Sequence, residues 1–108
     1  MGNGEEKKVF VHIALQEGFE GEIVVIRVNG NEVFHKPNVK TRLQIGIADF
    51  IEVGVQKGSV NVEVALPLRN LSKSIVLQVS TPIYVGVSVT RDDRIVYTEP
   101  RREPFGYL

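Results

Sequence analysis

The chain has 108 residues and a mass of 12.0 kDa, the size of one domain, and thirteen Lys and Arg against thirteen Asp and Glu leave a formal net charge of +0. Hydrophobic residues at 43% and charged residues at 24% exclude the composition of a disordered chain, and the even balance excludes the basic excess of a general nucleic-acid binder. There is no cysteine, so disulfide scaffolds, thiol catalysis and thiolate zinc sites are excluded together.

The opening, MGNGEEKKVF, has no basic segment followed by an apolar one, and position 6 is Glu where the myristoylation pattern needs Ser or Thr. No apolar run approaches the ~20 residues that span a bilayer. The expectation is a cytoplasmic protein without a membrane partner.

In chain order, Val9, Val11, Ile13 and Leu15 alternate with Phe10, His12 and Ala14, the two-residue repeat of a strand with one buried face. Glu22 to Val28 is almost continuously apolar, which predicts a central strand covered on both faces. Asn29-Gly30 is a hairpin signal, because both residues tolerate positive φ, and Glu32 to Lys36 returns until Pro37 stops it. Thr41, Leu43, Ile45 and Ile47 share one face of a further predicted strand, and Ile51, Val53 and Val55 form another run. Asp49 interrupts that apolar register, which predicts a bend at Ala48-Asp49-Phe50.

Lys57-Gly58-Ser59 reads as a hairpin loop, followed by the alternation of Val60, Val62, Val64 and Leu66, which Pro67 ends. Residues 67 to 72 read as a crossover loop, and Ile75, Leu77 and Val79 start a strand broken at Thr81-Pro82. Ile83, Val85, Val87 and Val89 follow, with Tyr84, Gly86, Ser88 and Thr90 on the opposite face. Arg91-Asp92-Asp93-Arg94 is a charged turn, and Ile95 to Thr98 is a short last strand. Nowhere does a helical period win over eleven residues.

Eight or nine strands at roughly 8 to 12 residue spacing predict an all-β antiparallel sandwich, immunoglobulin-like or transthyretin-like in architecture, with a small β-barrel as the alternative. The Cys and Trp of the immunoglobulin signature are missing. Residues 1–100 form the predicted domain and 101–108 a C-terminal apolar tail.

No nucleotide-binding, phosphate-loop, zinc-protease or nucleophile-elbow motif is present. His12 and His35 serve as base or metal ligand only if the fold joins them near a carboxylate, and otherwise read as solvated strand residues. Asp92-Asp93 reads as a charge-balanced turn or a hard-cation site, and Asp49 as a local cap or a partly buried carboxylate. Lys36, Lys40 and Arg42, with Lys7 and Lys8, form modest basic patches; without Trp they argue against nucleic acid. Asn70-Leu71-Ser72 matches a glycosylation sequon in a loop. Tyr84 and Tyr97 lie on strands joined by one turn, which makes them either a platform for a small ligand or carbohydrate or an ordinary packed pair.

The tail is the least ordinary feature. Glu99 to Pro104 is polar and stiffened by two prolines, and Phe105-Gly106-Tyr107-Leu108 is apolar and aromatic. Such residues gain from burial, whether on the chain's own sheet, on a second copy or on another protein. The expected function is therefore a non-enzymatic protein-interaction module, a homodimer or part of a complex, without cofactor or metal. Its contacts are Phe105, Tyr107 and Leu108, with Arg101 and Arg102 as rim charges, together with edge strands. The alternatives are a small-ligand or carbohydrate-binding domain using Tyr84 and Tyr97, and a small hydrolase or metal enzyme built on His12 and His35.

Overall fold

A computed structural model describes residues 8–104. It contains β1 (Val9–Leu15), β2 (Glu20–Val28), β3 (Asn31–Lys40), β4 (Asp49–Val55), β5 (Gly58–Leu66), β6 (Leu71–Val79), β7 (Ile83–Val89) and β8 (Ile95–Tyr97). These form two packed four-stranded sheets, β4-β1-β7-β8 and β3-β2-β5-β6, a β-sandwich and not a closed barrel. Neighbouring strands are antiparallel except β1 and β7, which run parallel. The immunoglobulin order keeps the first two strands in one sheet; here they lie in opposite sheets.

The alternations read from sequence become the inner rows. Val11, Ile13 and Leu15 of β1, Val60, Val62, Val64 and Leu66 of β5, and Val85 and Val87 of β7 all have no exposed surface. Each such aliphatic side chain contributes roughly 1.5–3 kcal/mol by leaving water, so these rows hold the sheets together. β2 is central in its sheet, and Val25 is buried on its outer face, but Ile23 and Arg27 beside it are only half-buried.

Four predicted features change. The alternation from Thr41 to Ile47 is not a strand but a tight turn closed by Arg42 N–H donating to the Ile47 carbonyl at 2.9 Å. Gly46, at φ +68, supplies the left-handed step that an alternating pattern cannot reveal, and Leu43 at its tip is 90% exposed. Here the chain leaves one sheet for the other, so the connection overrides the local pattern. Pro37 does not end β3, because β3 is an edge strand with register shifts opposite, where a missing N–H is tolerated. Residues 67 to 70 are not a crossover, since β5 and β6 are antiparallel neighbours joined by a 3-10 turn over Pro67–Arg69, and Lys57-Gly58-Ser59 is not a hairpin loop, since β4 and β5 lie in opposite sheets.

Side chains close the sandwich at its margins. Lys36 and Asp49, from the edge strands β3 and β4 of opposite sheets, pair at 2.8 Å. At the far side the Tyr97 hydroxyl of β8 donates to the Lys73 carbonyl of β6 at 2.5 Å. Lys73 stands opposite Val64 in the register, which puts a charge in an apolar row and blunts that edge against pairing.

Thr41 ties the turn to the core. Its hydroxyl donates to the Gln16 carbonyl at 2.6 Å and accepts from Phe19 N–H at 3.0 Å, all of it buried. Thr41→Val keeps the shape and strands both partners, and the expected loss is about 2 kcal/mol by chemical denaturation. An unchanged midpoint would show that water replaces the hydroxyl.

Candidate functional site

The outer face of the β4-β1-β7-β8 sheet carries a cleft whose shape follows from the register. His12 stands between Glu52 on β4 and Tyr84 on β7; one step along, Ala14 stands between Phe50 and Gly86. The rings of His12 and Tyr84 in one row and of Phe50 in the next stand around the small Ala14 side chain, which floors a depression. Its volume is about 370 Å³, and its lining includes His12, Ala14, Phe50, Glu52, Tyr84 and Pro104.

Beside it the end of the Gln16 side chain covers Gly86, where a Cβ would lie 2.4 Å from Gln16 Oε1. The His12 and Tyr84 rings stack face to face at 4.3 Å with planes 10° apart. Glu52 Oε2 lies 3.4 Å from His12 Nδ1, with the carboxylate side chain 58% exposed. Phe10, two residues before His12 on the same face, is itself exposed.

The opposite outer face is different in kind. It presents Ser72, Ser74, Val76 and Gln78 of β6 beside Asn61 and Glu63 of β5, with Arg27 and Glu63 paired at 3.1 Å. Among the described residues the exposed phenylalanines and Tyr84 are thus collected on one side of the sandwich, and His35, opposite Val25, stands on the other.

Tyr84 lines the cleft, but Tyr97 does not join it. Tyr97 pairs with Val87 and packs against the core, whereas Tyr84 pairs with His12 on the outer face, so the two tyrosines occupy opposite sides of one sheet. Burial, reinforced by the Glu63 charge, pushes the Tyr97 phenol well above its ordinary range despite a backbone hydrogen bond at Val64 that works the other way. A shared tyrosine platform is therefore ruled out by strand parity.

His12 and His35 are likewise on different sheets, and His35 lies 3.4 Å from Glu32 rather than near His12. Among the described residues no three His, Cys, Asp or Glu side chains gather to hold a metal ion. Asp49 accepts from Phe50 N–H and from Lys36, both at 2.8 Å. Asp92 bonds Thr90 and Arg94, while Asp93 pairs with Arg69. Lys36, Lys40 and Arg42 line a second, polar cleft beside Leu43. No helix among the described residues is long and apolar enough to cross a membrane.

Of the tail, Arg101 forms an antiparallel bridge with Tyr84, each N–H donating to the other's carbonyl at 2.7 and 2.8 Å. The chain after β8 therefore follows β7 and delivers Pro104 to the cleft. Arg101 also faces Glu103 at 3.8 Å, and Arg102 is exposed. Phe105, Tyr107 and Leu108, like Lys7, lie outside the described residues.

Phe10, Ala14, Phe50, Glu52, Gly86 and Pro104 are members of this surface that sequence reading did not single out. Their signal was present as outward-facing positions of three strands, but only pairing brings them together. The sequence matches no protein family, and comparison with curated proteins and with solved structures returns no match.

Proposed function

We propose that the chain is a non-enzymatic protein-interaction module whose recognition surface is the outer face of the β4-β1-β7-β8 sheet. The observation that carries this reading is the asymmetry between faces: among the described residues Phe10, Phe50 and Tyr84 share one side, around a cleft, while the outer face of the other sheet presents neither Phe nor Tyr. Exposed aromatic groups beside a depression offer large contact area at small entropic loss, the pattern of interface anchors. The partner is another protein or a second copy of the chain, and the free edge of β4 borders the same surface.

Fluorescence-detected sedimentation of the labelled full chain in cell extract tests this. The chain is expected to sediment faster than its 12.0 kDa mass allows, and Phe10→Ser with Phe50→Ser to return it to the monomer value without lowering its melting temperature. A complex that survives the double substitution, or none with the native chain, would contradict the reading.

A second reading, a small-ligand or carbohydrate-binding domain, is supported by the cleft that the His12–Tyr84 stack lines, with Tyr84 and not Tyr97 as its aromatic contact. It predicts a saturable thermal shift with a sugar, removed by Tyr84→Ala.

A further inference from the structure

We infer that the Ala14 cleft is the seat of the chain's own Phe105, so that the tail and a partner compete for one surface; the competition rests on the interaction reading above, and the seating stands without it. The backbone leads there. Arg101 is held to β7 by its bridge with Tyr84, each N–H donating to the other's carbonyl at 2.7 and 2.8 Å. Past that bridge the chain bends at Arg102 and Glu103, and Pro104 lies in the cleft with His12, Phe50 and Tyr84. Those three residues come from β1, β4 and β7, so the chain has turned from the side of β7 onto the outer face of the sheet. Phe105, the first residue beyond those described, is one peptide further, about 3.8 Å between Cα atoms.

The floor of the cleft and the shortness of the tether both favour this occupant. Ala14 faces outward between Phe50 and Gly86, yet only 1% of its surface is exposed, so the floor is screened from water and suits an apolar group. The side chains of residues 105–108 carry no charge, so Glu52 at the rim repels none of them, and Glu103, the acid beside Pro104, faces Arg101 at 3.8 Å. Seating Phe105 closes a loop of almost no length, whereas a second copy must also lose its freedom of translation and rotation. A tether this short gives an effective concentration on the order of millimolar. Tyr107 and Leu108 lie two and three residues further from the anchored Pro104 than Phe105 does, so Phe105 reaches the cleft at the least entropic cost.

The experiment is NMR of the full chain, reading contacts between the Phe105 ring protons and the Ala14 methyl group. It is run once on a uniformly labelled sample and once on a mixture of labelled and unlabelled chains. Contacts within one chain are expected. Contacts between chains would overturn the seating in favour of an exchanged arm; their absence, or contacts from Tyr107 or Leu108 in place of Phe105, would overturn it as well. Competition is read by sedimentation of the labelled chain in cell extract. A tail seated about nine-tenths of the time leaves about a tenth of the chains open, so Phe105→Ser is expected to tighten the complex about tenfold. An unchanged complex with that variant would overturn the competition, and a weakened one would make Phe105 a partner contact instead. A seated tail with no complex from either chain would remove the interaction reading and keep the seating. A complex without contacts inside the chain would do the reverse.

Discussion

Arg69→Ala is expected to destabilise the fold by about 3 kcal/mol, because it leaves a buried carboxylate without its cation. Arg69 closes the 3-10 turn between β5 and β6 and reaches in two directions. Its Nε donates to Glu22 Oε1 at 3.1 Å and its Nη2 to the second carboxylate oxygen, while its Nη1 donates to Asp93 at 2.9 Å. Glu22 belongs to β2 and Asp93 to the β7–β8 turn, so one guanidinium joins the two sheets at their end. The Glu22 side chain is only 8% exposed.

Burial works to raise the Glu22 carboxyl, but hydrogen bonds from Arg69 and from Glu20 N–H, with the Arg69 charge, outweigh it and hold the carboxyl below its ordinary value. A carboxyl whose folded pKa is depressed stabilises the fold fully above its unfolded pKa, near 4.3 for glutamate, and loses that contribution as pH falls through the lower folded value. The native chain should therefore weaken on acidification below about pH 4, and the gap to Arg69→Ala should narrow in the same window. Urea denaturation near neutrality and near pH 3 checks both. A gap that stays constant with pH would mean that Arg69 acts by packing alone.

Gly18→Ala is the second large expectation, a fall of about 3–4 kcal/mol from an added methyl group. Gly18 has φ +87, and a Cβ there would lie 1.9 Å from the Val89 carbonyl oxygen. The close approach exists because the chain leaving β1 continues beside β7, where Val89 N–H donates to the Glu17 carbonyl at 2.9 Å. Adding the methyl group pushes these segments apart and breaks that bond. Gly21 is the natural control: it has φ +94 and open space around it. Gly21→Ala should carry only the backbone penalty of roughly 1–2 kcal/mol. Thermal denaturation separates the two, and equal melting temperatures would deny the close approach at Gly18.

Much of this architecture was legible in the chain because aliphatic alternation has only one good use. Val60, Val62, Val64 and Leu66 could be buried together only on one face of a strand, and the same held for β1 and β7. Residues 41 to 47 show the limit. Thr41, Leu43, Ile45 and Ile47 alternate just as well, yet they span a crossing between sheets, and the left-handed Gly46 turns the chain before a strand can form. The parallel pairing of β1 with β7 was also hidden, since no local pattern encodes contacts between distant segments.

The surface divides in the same way. That Phe10, His12 and Ala14 face outward could be read from period alone, as could Tyr84 and Gly86. That Ala14 falls beside Phe50 and Gly86, making a floor, depends on two registers that hydrophobic pattern leaves open. Tyr97 was misplaced for a simpler reason. It shares parity with Ile95, which is buried, and parity decides the face where the joining turn does not.

The most direct test of the interaction face is to place a photoreactive phenylalanine at position 50 in one full-length chain and at position 76 in another, then irradiate each in cell extract. Positions 50 and 76 are both exposed and lie on opposite outer faces of the sandwich. The account predicts one dominant adduct of reproducible mass from position 50, suppressed by Tyr84→Ser, and none from position 76. Adducts of equal yield from both faces, or from position 76 alone, would contradict it.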